Sequence, residues 1–233
     1  MVTRNVQSEV DFYSQFISPG DVAIDVGAHI GDSTLAFAVC AGIDGHVYGL
    51  EPNPATFQIL ASFCLVNRSR VSITPVPWAL GLADGSSNFQ YGDYWLDNGG
   101  YHEESVFSHG STYDIPVKVV TLETFLSVIN LKLGDVAFIK LDIEGADLAI
   151  VEDIVASGGN DVPIIQFEVL DGLPDLDLRL KTLASKFLLL SIISDPVTGL
   201  RLVELDVAFL RTTGQVDVIL IPHEVYENLG FMV

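Results

Sequence analysis

A chain of 233 residues with 49% hydrophobic content can bury one substantial core and is too short for two ordinary domains joined by a linker. Its 31 acids stand against 11 bases, and the net charge of −20 argues against nucleic acid and anionic membrane surfaces as partners, unless the acidity serves solubility alone. No apolar run approaches the roughly 18 residues that span a bilayer, residues 1–20 lack a signal-like core, and Cys40 and Cys64 fall in apolar helical patterns without metal-site spacing. These features read as a single soluble, cytoplasmic domain over residues 1–233.

In chain order, residues 6–17 carry apolar residues at helical spacing and end at the turn Ser18-Pro19-Gly20, so a helix is expected across the sheet or over a ligand mouth. Strands and helices then alternate: strand 22–26, helix 33–41, strand 46–50, helix 54–67 and strand 71–76. That alternation predicts a parallel sheet with helices on both faces. Asn53 before Pro54 is a helix cap followed by proline at the first helical position. Residues 82–116 break into a polar, glycine-rich, aromatic stretch with one short strand at 87–91, and an insertion of this length suits a substrate-binding lid. Helix 122–129, strand 136–143, helix 146–156, strand 164–167, helix 176–185 and strands at 187–193, 200–205 and 216–221 complete the pattern. The closing hairpin-like strands imply an antiparallel edge strand.

The most informative stretch is D-V-G-A-H-I-G at 25–31, directly after Val22-Ala23-Ile24. It describes a strand, a glycine turn and a helix start. Gly27 lets a ligand approach the main chain, and Gly31 lets the next helix pack close to the strand. A dinucleotide turn needs glycine where this chain has Asp25, because a carboxylate beside a pyrophosphate is unfavourable. A cofactor carrying an ammonium and a sulfonium and no phosphate, S-adenosyl-L-methionine, suits the same place. Twenty residues after Gly31, Glu51 ends a second apolar run, where a doubly wound fold puts the acid that binds a ribose diol. The cofactor-contacting set is therefore Asp25, Gly27, Ala28, His29, Gly31, Glu51, Pro52 and Asn53, with Ala79 and Leu80 toward the adenine side.

These residues resemble the FkbM family of S-adenosylmethionine-dependent methyltransferases. The matching blocks are the turn at 25–31, G-H-V-Y-G-L-E-P-N-P at 45–54, A-L-G at 79–81, T-L-E-T-F at 121–125, K-L-D-I-E-G at 140–145 and P-I-I-Q-F-E at 163–168. The resemblance implies a class I methyltransferase (Rossmann-like) α/β fold, doubly wound, with a mostly parallel seven-stranded sheet and one antiparallel strand. It also implies methylation of a hydroxyl, often on a sugar or secondary metabolite, so the partner is a small-molecule or glycan acceptor. Trp78 departs from the pattern, since a polar residue is expected before A-L-G.

Methyl transfer needs acceptor, methyl and sulfur held in line, and such positioning can supply about 7 kcal/mol of the barrier. Candidates for handling the acceptor proton are Asp142 and Glu144, expected on the same side of an extended chain where each raises the other's pKa, and His102 in the long loop. Glu144 has the alternative of stabilising the helix that follows. Asp142 and Glu168, ending neighbouring strands, have a second alternative as ligands of Mg²⁺, an incomplete set that water or substrate must finish. Lys140 alternates with Asp142 and can neutralise it from within the strand, while Trp95 and Tyr101 offer stacking surfaces.

Two other function classes fit less well. A nicotinamide-dependent oxidoreductase or epimerase is disfavoured by Asp25 and by the absence of a Tyr-x-x-x-Lys pair. A catalytically inert cofactor-binding module differs from an enzyme only in failing to transfer a methyl group.

Overall fold

The computed structural model describes residues 6–91, 113–143, 145–195 and 199–229. Trp95, Tyr101, His102 and most of the expected lid, together with Glu144, lie outside the described residues.

Helix α1 (Val6–Tyr13) leads to β1 (Val22–Val26), α2 (Asp32–Ala41), β2 (His46–Leu50), α3 (Pro54–Asn67) and β3 (Ile73–Val76). After β4 (Trp78–Leu80), β5 (Gly85–Tyr91) and β6 (Tyr113–Val120), the alternation resumes with α4 (Leu122–Val128), β7 (Phe138–Leu141), α5 (Asp147–Gly158) and β8 (Ile164–Leu170). The chain then runs through α6 (Leu176–Ala184), β9 (Phe187–Asp195), β10 (Gly199–Glu204), α7 (Val207–Thr213), β11 (Gln215–Pro222) and α8 (His223–Leu229). Asn53 caps α3 as its sequence position implies, its side chain accepting from the Ala55 N–H at 2.9 Å.

Eight strands form the main sheet in the order β10-β9-β11-β8-β7-β1-β2-β3. The central pairs β7–β8, β1–β7, β1–β2 and β2–β3 are all parallel. The reversed strand β11 lies inside the sheet, antiparallel to both β8 and β9, and β10 adds a further antiparallel strand at the edge. The mostly parallel, doubly wound architecture matches the sequence reading. The count exceeds seven because β10 pairs antiparallel along β9.

Alternation along each strand sorts residues to two faces. Ile24, Val26, Ile139, Leu141, Phe167 and Val218 pack beneath α4 to α7, whereas Ala23, Phe138, Ile164 and Ile219 pack beneath α1, α2 and α8. The aromatic rings of Tyr13, Phe37 and Phe138 meet edge-on at 4.7 and 5.2 Å, so α1 lies across the sheet beside α2. Cys40 and Cys64 are buried and unpaired.

The stretch expected to be an irregular insertion is partly regular. β5 pairs antiparallel with β6, and β4 adds parallel to the far end of β6, giving a separate three-stranded sheet. Pro116 fits within β6 because β4 reaches only residues 118–120, leaving the proline beside one neighbour rather than two. Trp78 packs edge-on against Phe125 and under the Lys118 ammonium, 3.6 Å from its ring. No helix among the described residues is long and apolar enough to cross a membrane.

Candidate active site

The carboxyl ends of β1, β2 and β7 converge on the turn that follows β1. Gly27 has φ +80°, and a Cβ there would run into the Asp142 carbonyl oxygen, so this glycine lets the β1 turn and the end of β7 touch through their backbones. Gly31, with φ +100°, sits where a Cβ would meet Leu60 of α3 at 2.9 Å, which explains the close packing of α2. His29 is the third member of the turn with positive φ, at 51°, a conformation that histidine tolerates better than most residues.

Glu51 stands just past β2 and is almost wholly buried. One carboxylate oxygen accepts the His29 N–H at 2.9 Å and the other accepts the Asn53 N–H at 2.8 Å. Burial pushes its pKa up, while the Asn53 N–H, the Thr56 hydroxyl and the His29 N–H oppose the shift. The carboxylate oxygen away from the Thr56 hydroxyl keeps a lone pair for a ligand hydroxyl. Asn53 is the support of Glu51, Ala28 packs on Leu60, and Pro52 lies half-buried between Glu51 and Asn53.

Asp25 occupies a different place from the one its motif position suggests. It has no exposed surface, accepts from the Thr34 hydroxyl at 2.6 Å, and is the register partner of Lys140 on β7. Burial drives its pKa up and Lys140 opposes this, so Asp25 is compensated from inside the protein and supports the turn rather than offering an open counter-charge. Ala79 and Leu80 are likewise buried, Ala79 within the small sheet and Leu80 within the main core.

β7 ends before Asp142, and Glu144, the carboxylate expected beside it, lies outside the described residues. The strand stops at Leu141, and the N–H groups of Ile143 and Gly145 turn inward to the Asp147 carboxylate at 3.2 and 3.1 Å. Asp142 instead accepts from the Lys140 ammonium at 2.7 Å, with its own side chain 45% exposed. Burial pulls the Lys140 pKa down, but the carboxylates of Asp142 and Asp25 more than offset it and hold the ammonium above its ordinary value. Glu168 falls level with Asp142 on the adjacent strand β8, and opposite Asp217 on β11. Among the described residues no group of three or more His, Cys, Asp or Glu side chains could hold a metal ion, and Lys140 already occupies one carboxylate of the suggested Mg²⁺ pair.

The sequence reading missed Asp147. Buried at the first turn of α5, it has its carboxyl pushed up to about 6 by burial, against the two N–H groups it accepts. An acid opening a helix is visible in sequence, but its place beneath the Ile143 and Gly145 N–H groups is set by the folded chain. A separate cavity of about 820 Å³ opens where α6, the start of β9 and α8 meet, and none of the residues read as cofactor-contacting line it.

A doubly wound sheet with a reversed strand inside it, a glycine turn after β1 and an acid after β2 define a class I methyltransferase architecture. The model of the methyltransferase FkbM domain matches residues 25–182. The chain belongs to the FkbM family of S-adenosylmethionine-dependent methyltransferases, which sets aside the nicotinamide alternative. Among solved structures, the FkbM methyltransferase of Methylobacillus flagellatus KT is 15% identical with a TM-score of 0.50, over 91% of this chain and 50% of that one. This chain thus spans half the length of that relative. The putative rRNA-methylase of Clostridium thermocellum is 11% identical (TM-score 0.47, 95% of this chain and 97% of that one). Aeropyrum pernix fibrillarin with natively bound S-adenosyl-L-methionine is 13% identical (TM-score 0.46, 88% and 68%). No curated protein matches the sequence.

Proposed function

We propose that this protein transfers a methyl group from S-adenosyl-L-methionine to a hydroxyl of a sugar or small metabolite. The observation that carries the cofactor part of this reading is Glu51, held at the end of β2 by the N–H groups of His29 and Asn53 with a lone pair to spare for a ribose hydroxyl. Gly27 offers a backbone surface free of a side chain, and the ring of His29 in the same turn has a buried Nε2 with no partner among the described residues. The donor, when bound, supplies a methyl group already activated on a sulfonium.

Asp142 is the described carboxylate best placed for the acceptor. It follows β7, touches the Gly27 turn through its carbonyl, and is half-exposed while Lys140 anchors one oxygen. An acceptor hydroxyl beside it would be oriented by the other oxygen of Asp142 and would give up its proton to it. The acidic chain favours an acceptor without phosphates, and buried, unpaired Cys40 and Cys64 accord with action in the cytoplasm.

The experiment is a screen of radiolabelled methyl transfer onto glycans and hydroxylated small molecules. Label in a base-stable ether of a hydroxylated acceptor is the expected result. Label confined to amine acceptors would overturn the hydroxyl assignment.

A further inference from the structure

The backbone at Asp142 is held from three directions, and the third is not part of the sheet. Its N–H donates to the Val26 carbonyl of β1 at 3.0 Å, and its own carbonyl oxygen lies against the backbone of Gly27. The N–H of Ile143, on the far side of the same peptide, donates to Asp147 Oδ1 at 3.2 Å, and the Gly145 N–H donates to Asp147 Oδ2 at 3.1 Å. A peptide unit is planar, so holding its carbonyl on one side and its N–H on the other fixes the plane from which the Asp142 side chain departs. Asp147 itself is 1% exposed at the start of α5, whose Leu148, Val151 and Ile154 share the core of Ile139 and Leu141 on β7. The anchor is therefore a packed helix rather than another loop.

We propose that Asp147 is the positioning residue for Asp142, pinning the peptide that follows it so that the half-exposed carboxylate stands at the mouth of the site in one orientation. This rests on the acceptor role given to Asp142 above and adds the residue through which that role is kept. An acid in the first turn of a helix ordinarily serves the helix itself, by facing its dipole or bonding its free N–H groups. Asp147 reaches the other way: each of its oxygens accepts from an N–H that precedes α5. Lys140 holds the tip of the Asp142 side chain at 2.7 Å, so Asp142 is tethered at its carboxylate from β7 and at its backbone from β1 and α5. Misplacing a reacting group by about 1 Å can cost on the order of a hundredfold in rate, which is how a residue remote from the acceptor bears on turnover.

Asparagine at this position has the same shape, keeps one acceptor oxygen and turns an NH₂ group toward the second N–H, so Asp147→Asn breaks the clamp on one side. Amide hydrogen exchange, read residue by residue by NMR on the protein alone, is the first test. In wild type the Ile143 and Gly145 amides should exchange about a hundredfold more slowly than open-chain amides, although neither lies in a helix or strand. Asp147→Asn should speed both by about tenfold and leave the Val151 and Ile154 amides of α5 at wild-type rates. Unprotected Ile143 and Gly145 amides in wild type, or a variant that alters only the amides of α5, overturn the proposal, and the wild-type reading holds even where the variant is too unstable to compare. The second test is radiolabelled methyl transfer to the pooled glycans and hydroxylated small molecules of the screen. Asp147→Asn should lower the label by about tenfold, with S-adenosylhomocysteine affinity changed by less than about twofold. Made on top of Asp142→Asn, it should lower the label no further, because the two residues act through one carboxylate. Losses that add in the two backgrounds, or a drop matched by lost cofactor affinity, overturn the proposal. A wild type that labels no member of the panel overturns the hydroxyl reading instead, and the exchange pattern still decides whether Asp147 pins the peptide after Asp142.

Discussion

Asp25 and Lys140 stand side by side in register on β1 and β7, both beneath α1 and α2, and the lysine reaches along its own strand to Asp142 at 2.7 Å. One ammonium thus compensates a carboxylate with no exposure and another at the mouth of the site. Beyond it in the same register row lies Gln166, which accepts from the Tyr13 hydroxyl at 3.0 Å.

Lys140→Met leaves Asp25 buried without its cation, and removing one member of a buried pair costs about 3–5 kcal/mol. The urea midpoint should fall accordingly. Adding Asp25→Asn should recover much of the loss, because the uncompensated charge is then gone. If the double variant is no more stable than Lys140→Met, the two residues are not coupled as their register implies.

Asp142 is the half-exposed end of that arrangement, so Asp142→Asn should fold normally and bind S-adenosylhomocysteine as wild type does. Its turnover should drop by about 10²- to 10⁴-fold, the ordinary contribution of a positioned base. Turnover should survive a chelator, since Asp142 has a lysine as its partner. Undiminished turnover in Asp142→Asn moves the role to Glu144 or His102, and chelator-sensitive turnover restored by Mg²⁺ revives the Asp142–Glu168 pair.

Asp147 makes stability depend on pH. Its folded pKa of about 6 lies above the ordinary 3.8, so the native state holds this proton more tightly than the unfolded chain. The contribution is complete below about pH 4 and is lost as pH rises through 6, a change on the order of 2–3 kcal/mol. Urea midpoints from pH 4 to 7 should fall more steeply for wild type than for Asp147→Asn. Parallel profiles for the two proteins contradict the assignment.

Much of this architecture is legible in the chain because short-range chemistry dictates it. Gly27, Gly31, Asn53-Pro54 and the apolar runs of β1, β2 and β7 specify turn, cap and strand without reference to distant residues. β6 escapes because Pro116 interrupts its alternating Ile115, Val117 and Val119, and only the short reach of β4 makes the proline acceptable. At Glu51 the position just past β2 is legible, and its carboxylate accepts from the nearby Asn53 N–H and from the His29 N–H of the glycine turn. The site is not legible at Asp25, where motif position suggests an open charge and cross-strand register supplies Lys140 instead. The end of β7 at Leu141 is not legible for a related reason: Asp147, further along the chain, draws the N–H groups of Ile143 and Gly145 inward.

The central claim is that Glu51 and the Gly27 turn bind S-adenosylmethionine, and calorimetric titration of S-adenosylhomocysteine into wild type and Glu51→Ala tests it most directly. Wild type should bind, and the folded variant should lose about 1–3 kcal/mol of binding free energy as the ribose hydroxyls lose their acceptor. Equal affinity in the two proteins, with Glu51→Ala shown to be folded by its thermal transition, would contradict the account.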